Sequence, residues 1–395
     1  MADPKQGPSP TNPPFWNDPR IRALVFQALV VVAVVVIGIF LVNNTLTNLE
    51  KRGITTGFAF LDSQAGFGIL MSLVDYSETS SYGRTFVVGL LNTLLVSGLG
   101  IALATLIGFV VGVARLSRNW LIAKLATAYV EIFRNIPLLL QIFFWYFAVL
   151  RALPAPRQSM ELGGAVFLNL RGLYLPRPVF EPGFGLVVAA LVVAIVASIV
   201  ISRWARRRQE TTGQPFHTFY TAAGLIVGLP LLAFVVAGAP LSWELPQLRG
   251  FNFQGGIPVI PELTALLTAL SIYTAAFIAE IVRAGILAVS HGQTEAANAL
   301  GLRPGITLRL VIIPQALRVI IPPLTSQYLN LTKNSSLATA IGYPDLVSVF
   351  AGTTLNQTGQ AVEVIAMTMA VYLAISLLIS LFMNWYNKRK MLVER

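Results

Sequence analysis

The chain has no cysteine among its 395 residues, two histidines, and 11% charged residues. Without thiols there are no disulfides, no iron–sulfur clusters and no thiolate zinc sites. His217 and His291 are the only imidazoles and no H-E-x-x-H occurs, so a zinc protease of that type lacks its ligands. No G-x-x-x-x-G-K-[ST] occurs either, so the chain cannot hydrolyse ATP by that route. The acidic residues form no clustered pair of the kind a catalytic dyad needs. A soluble domain carries roughly 25% charge. With 55% hydrophobic residues and a mean hydropathy of +0.71, this chain belongs to the polytopic membrane class, and its first partner is the lipid bilayer. The net charge of +11 would suit nucleic acid, but the basic residues cluster at the ends of apolar runs, so no nucleic-acid partner is expected.

What the sequence does have is long apolar runs. A helix needs about 20 apolar residues to cross the hydrocarbon core. Eight candidates follow: 23–42, 86–113, 123–150, 185–201, 216–238, 261–289, 317–331 and 362–386. The fold class is therefore an all-α polytopic membrane protein of about eight transmembrane helices. The seventh run is short and carries Pro322-Pro323, which kink or start a helix. An even count puts both termini on one side. Placing them in the cytoplasm gives seventeen inner and nine outer Lys and Arg residues, with Arg134 and Arg283 inside spans. That satisfies the positive-inside rule. Residues 1–22 are proline-rich and polar, without the apolar core of a signal peptide, and read as a disordered cytoplasmic tail; 391–395 form a second tail. The long segments 43–85, 151–184 and 239–260 fall outside and read as loops, too short for a separate domain. They serve either as packing lids or as a surface for a soluble extracytoplasmic protein.

Between the sixth and seventh runs lies a polar, alanine-rich stretch, His291-Gly292-Gln293-Thr294-Glu295-Ala296-Ala297-Asn298-Ala299-Leu300-Gly301. Gly292 and Gly301 bracket good helix formers. Gln293 or Thr294 could cap the start, and Glu295 suits the first turn. Ala296, Ala297 and Leu300 fall on one small apolar face by i,i+3 and i,i+4 spacing. Gly301 lets the chain turn away, and Pro304-Gly305 breaks the helix. The residue types alone fit either a docking helix or an ordinary interhelical turn.

The spacing is more specific. Glu295-Ala296-Ala297, three residues, Gly301, nine residues, then Val311-Ile312-Ile313-Pro314 resembles the EAA loop of ABC importer permeases, with Val311 and Ile313 as aliphatic departures. Glu280-Ile281-Val282-Arg283-Ala284-Gly285, Pro314-Gln315-Ala316 and Lys333-Asn334-Ser335-Ser336-Leu337 resemble the polar amino acid uptake branch. So does Glu131-Ile132-Phe133-Arg134-Asn135-Ile136-Pro137-Leu138-Leu139-Leu140-Gln141, which follows that branch's E-x-F-R-x-x-P-L-L-x-Q pattern. The long N-terminal part and the insertion between the third and sixth runs look like the larger permease of general L-amino-acid importers.

This resemblance implies a five-helix type I ABC importer core with three additional helices. The core would be 84–150 and 261–390, with a coupling loop at 291–315. Residues 23–83 would add the extra first span, and 151–260 an insertion with two spans. The resemblance further implies a multi-pass permease subunit of the cell inner membrane, part of an ATP-driven amino acid importer and not itself an enzyme. Its partners would be a second permease, as a heterodimer, two ATP-binding subunits and an extracytoplasmic amino-acid-binding protein. The chain would bind no cofactor; ATP and Mg would sit on the ATPase. The coupling residues would be Gly292, Gln293, Glu295, Ala296, Ala297, Leu300 and Gly301. The rival function is a secondary transporter or channel for small polar solutes, which would need no ATPase.

Ionisable residues within spans are costly and face the protein interior. Glu131 with Arg134, and Glu280 with Arg283, are i,i+3 pairs. Each pair is a candidate pathway lining or a salt bridge near the headgroups. Lys333 and Asn334 make a polar break that could line a gate or simply end a helix.

Overall fold

The computed structural model describes residues 19–51 and 56–390, so residues 1–18 and 391–395 of the expected tails lie outside the described residues. The first helix, α1 (Pro19–Lys51), starts four residues ahead of the expected first span. After α2 (Tyr82–Ala114) come α3 (Trp120–Asn135) and α4 (Leu138–Phe143), which runs on through a π turn at Phe144–Val149. Four short strands follow: β1 (Met160–Leu162), β2 (Val166–Asn169), β3 (Gly172–Leu175) and β4 (Arg177–Phe180). The hairpin α5 (Phe184–Thr212) and α6 (Thr218–Val236) leads to β5 (Leu241–Glu244), β6 (Gln247–Arg249), β7 (Asn252–Gln254) and β8 (Ile257–Val259). The chain then forms α7 (Pro261–Leu287), α8 (His291–Ala299), α9 (Pro304–Thr307), α10 (Ile313–Asn334), α11 (Leu355–Thr358) and α12 (Ala361–Lys390).

Seven helices among the described residues are long and apolar enough to cross a membrane, and the bent pair α3–α4 makes an eighth if counted as one span. They follow the eight apolar runs in order. The third run, expected as one helix over 123–150, is instead broken, its halves bent by 105°. Pro137 causes the break. It drives Ile136 out of the α region, to φ −95° and ψ 127°. The carbonyls freed there need donors in an apolar setting. Gln141 Nε2 supplies one amide to both Phe133 O and Ile136 O, each at 3.0 Å. The seventh run is longer than the expected 317–331. α10 passes through Pro322-Pro323 without stopping, and a π turn at Leu308–Ile312 precedes it.

The chain divides into two compact units. In the one formed by Met1–Leu91 and Leu346–Ile375, residues 56–81 fold back tightly. Ala65 N donates to Ser80 O at 2.8 Å and Gly66 N to Glu78 O at 3.0 Å. Phe60, Tyr82, Leu346, Phe350 and Val364 make a buried apolar cluster, with the Phe86 ring edge-on to Phe350 at 5.0 Å. Gly57 N donates to Glu363 Oε1 at 2.7 Å, and Tyr82 Oη to Gln357 Oε1 at 2.9 Å.

In the unit formed by Asn92–Asp345 and Ser376–Arg395, α7 is the central helix. Pro261 at its first position and Glu262 in its first turn suit a helix start. Its buried face mixes small residues, among them Ala265, Ala269, Ser271, Thr274, Ala275 and Ala279, with Leu263, Leu266, Leu270, Ile278 and Val282. α2 meets it through Gly108 and Gly112. A Cβ at Gly108 would lie 2.6 Å from Ile278, and one at Gly112 2.7 Å from Ala279 O. Two glycines four apart let the backbones approach to van der Waals contact. The segments expected as loops at 151–184 and 239–260 form strands. β1, β2, β3 and β8 make an antiparallel sheet in that order, β4 pairs with β5, and β6 with β7. Phe253 packs on Phe167 and Tyr174 at 4.6 and 5.1 Å between ring centres, and Tyr174 Oη donates to Asn252 Oδ1 at 2.9 Å. Strands of three or four residues are too short to show a period of two in the sequence.

Candidate functional site

α8 is a nine-residue helix held at both ends by backbone geometry. It starts at His291 after Ser290, earlier than a cap at Gln293 or Thr294 would give, so Gly292 lies inside its first turn rather than ahead of it. Its C-terminus is a Schellman turn. Gly301 N donates to Asn298 O at 2.9 Å and Leu302 N to Ala297 O at 3.1 Å, with Gly301 left-handed at φ +72°. A side chain at position 301 would strain that turn. Pro304 does more than end the helix, since it occupies the first turn of α9.

The expected apolar face of α8 is divided. Ala297 is buried at 4% exposure, on the side where α8 packs against α9 and the following π turn. Ala296 is exposed, and Leu300 is 79% exposed. An exposed leucine on a rigid turn is an apolar tip presented outward. Two side-chain bonds set the rest of the surface. His291 Nδ1 lies 3.0 Å from the Glu295 carboxylate, one turn away, and Gln315 Nε2 donates to Gln293 Oε1 at 3.1 Å. The second bond ties α8 to the start of α10.

Behind α8, α7 and α10 approach closely. A Cβ on Gly285 would run into Ile320. One turn earlier the Glu280 carboxylate is shared by two guanidiniums. Arg283 Nη2 reaches Oε1 at 2.5 Å, and Arg115, just past the end of α2, pairs with Oε2. The Arg115 side chain is 12% exposed, while Glu280 and Arg283 keep 28% and 31% of theirs in contact with the surroundings. Arg115 carries no signal in the sequence that marks it as a partner. It is 165 positions from Glu280 and reads as an ordinary charge at a span end.

The other candidate pair is not brought together. Glu131 and Arg134 are both exposed, and the Arg134 guanidinium lies over the Phe277 ring at 5.1 Å. At the far end of α10, Lys333 is exposed and Asn334 half-buried. They lead into a short turn at Ser335–Ile341 that Gly342 ends at φ +79°. That turn is tied to α2. Tyr343 Oη donates to Asn92 O at 3.0 Å and Asn92 Nδ2 to Pro344 O at 2.9 Å. Among the described residues no group of three or more His, Asp or Glu side chains could hold a metal ion.

Comparison with known proteins bears on this arrangement. Residues 104–391 match the family "Binding-protein-dependent transport system inner membrane component". The chain is 63% identical, over 378 residues and 96% of both chains, to the putative amino-acid ABC transporter permease protein YhdX of Escherichia coli strain K12. It is 58% identical, over 96% of itself and 94% of the relative, to the general L-amino acid transport system permease protein AapQ of Rhizobium johnstonii. It is 45% identical, over 96% of each, to the glutamate/glutamine/aspartate/asparagine transport system permease protein BztB of Rhodobacter capsulatus. Gly108 and Gly112 of α2, the helices α7 and α10 and the exposed α8 fall within the matched span, and the chain belongs to the binding-protein-dependent transport system inner membrane components.

Proposed function

We propose that this chain is a permease subunit of an ATP-driven amino acid importer and that α8 is the element through which an ATPase drives it. The observation that carries this reading is the exposed Leu300 on a short helix fixed by a Schellman turn, between two membrane helices. The named amino-acid permeases that match nearly the whole chain supply the substrate class. The excess of Lys and Arg at one set of span ends supports a cytoplasmic side for both termini and α8. There α8 meets one of two ATP-binding subunits, which hold ATP and Mg. A second, different permease completes the pathway, and an amino-acid-binding protein docks on the opposite side. Residues 84–150 and 261–390 are the transport core; 23–83 and 151–260 are additions to it.

In this mechanism, closure of the ATPase dimer moves α8 as a rigid body. Gln293–Gln315 passes the movement to α10, and the Gly285–Ile320 contact keeps α7 and α10 together. Arg115, Glu280 and Arg283 hold the end of α2 to α7, so they act as a brace at the driven end. Lys333 and Asn334, where α10 gives way to the buried turn, are the gate. Glu131 and Arg134 are charges for the pathway shared with the second permease. ATP binding then changes the relative population of inward- and outward-open states.

The test is Leu300→Asp in proteoliposomes holding the complete transporter. Amino acid uptake should fall at least about tenfold, while ATP hydrolysis continues without dependence on loaded binding protein. Unchanged uptake would contradict the proposal.

A further inference from the structure

α5 and α6 carry a feature that transport does not use. The apolar part of α5, Phe184 to Ile201, spans about 27 Å at roughly 1.5 Å per residue, close to the hydrocarbon thickness. Arg203 and Arg206 therefore sit at the edge of that layer. On the same stripe of the helix, at i,i+3 and i,i+4 spacing, come Ile195, Ser198, Ile199 and Ser202. With Ile226 of α6 they line a groove of about 410 Å³ that is apolar at one end and cationic at the other.

The charges in this groove are weakly satisfied. Arg203 has no carboxylate partner among the described residues. Arg206 reaches Glu210 at 3.8 Å, with both side chains mostly exposed. By contrast Arg208, off the stripe, lies over the Trp204 ring at 5.4 Å and donates to Gln214 Oε1 at 2.9 Å. Aromatic side chains mark the same level. Trp204 packs edge-on to Phe216 at 5.5 Å, and Phe219 and Tyr220 are exposed beside them. Such rings sit at the headgroup level of a bilayer, and basic clusters just beyond a span attract anionic lipid.

We propose that this groove binds one anionic phospholipid, with Arg203 and Arg206 on its phosphate and Ile195, Ile199 and Ile226 along its upper acyl chain. Ser202 lies between the two, within the headgroup zone. The site does not depend on what α8 does.

The experiment uses the full chain, extracted in detergent and mixed with equal amounts of phosphatidylglycerol and phosphatidylcholine. Native mass spectrometry counts retained lipid. Wild type should keep phosphatidylglycerol about tenfold over phosphatidylcholine. Arg203→Gln with Arg206→Gln should bring that ratio close to one. Ile199→Trp, which fills the groove and keeps the charge, should reduce retention of phosphatidylglycerol as well. Arg208→Gln, off the stripe, should leave the ratio within about twofold. Equal retention of the two lipids by wild type, or an unchanged ratio in the double variant, would overturn the proposal. So would inorganic phosphate that itself binds and expels the lipid, since the groove would then be a site for the free anion.

Discussion

α6 is more apolar than α7, yet none of its most apolar stretch is buried in the protein, against 61% for α7. In water the order would be reversed. In a bilayer, lipid tails are as apolar as leucine, so hydrophobicity does not select what is buried; close backbone approach and polar pairing do. α7 buries alanine, serine, threonine and glycine beside Leu263, Leu266, Leu270, Ile278 and Val282, and glycines bring its neighbours to contact distance, Gly108 and Gly112 on α2 and its own Gly285 against Ile320 of α10. α6 carries leucine, valine and phenylalanine outward, and a Cβ added at its Gly224 or Gly228 would meet nothing within 4 Å.

The sharpest way to break this comparison is the same substitution in both helices' contacts. Gly112→Leu on α2 should cost at least about 3 kcal/mol, because the obstacle is the Ala279 backbone and the Val282 branch point rather than a flexible tip. The yield of folded protein extracted from membranes should fall about tenfold or more. Gly224→Leu in α6 should leave it unchanged. Equal losses would mean that α6 is packed as α7 is.

The next effect belongs to the bend. Gln141→Leu removes the donor of two carbonyls and should destabilise the protein by about 1–3 kcal/mol. The readout is a thermal midpoint in detergent lower than wild type. An unchanged midpoint would show that the bend needs no internal donor.

Glu280→Gln is expected to cost less, about 1–2 kcal/mol, since it leaves two guanidiniums facing a neutral amide but in a site still 28% exposed at Glu280. Arg134→Gln, over the Phe277 ring and exposed, should stay within about 0.5 kcal/mol. At the small end, Phe219→Ala on α6, 76% exposed, should be indistinguishable from wild type in the same assay.

The sequence carries the spans well, because each apolar run is itself the signal. It carries the bonds between them badly. Pro137 was visible, but nothing local said that Gln141 would turn back to cap the break, so the third run read as straight. Pro322-Pro323 had the opposite effect, suggesting a short span where α10 runs unbroken. The strands at 160–180 and 241–259 pair across the α5–α6 insertion, and pairing at that separation leaves no local pattern. For α8, spacing alone located the helix and the turn at Gly301. Whether Ala297 faced inward while Leu300 faced out depended on the packing of α9 and the π turn behind it. Arg115 was likewise out of reach until α2 and α7 were placed side by side.

That outward Leu300 allows the most direct test, because the chain has no cysteine of its own. Leu300→Cys and, as a control on the β6–β7 turn, Phe251→Cys are each made in the complete transporter and treated with a short bifunctional thiol reagent, with one cysteine placed on the surface of the ATP-binding subunit. The account predicts a cross-linked permease–ATPase species for Leu300→Cys and none for Phe251→Cys, which is equally exposed. No adduct at position 300, or equal adducts at both, would contradict it.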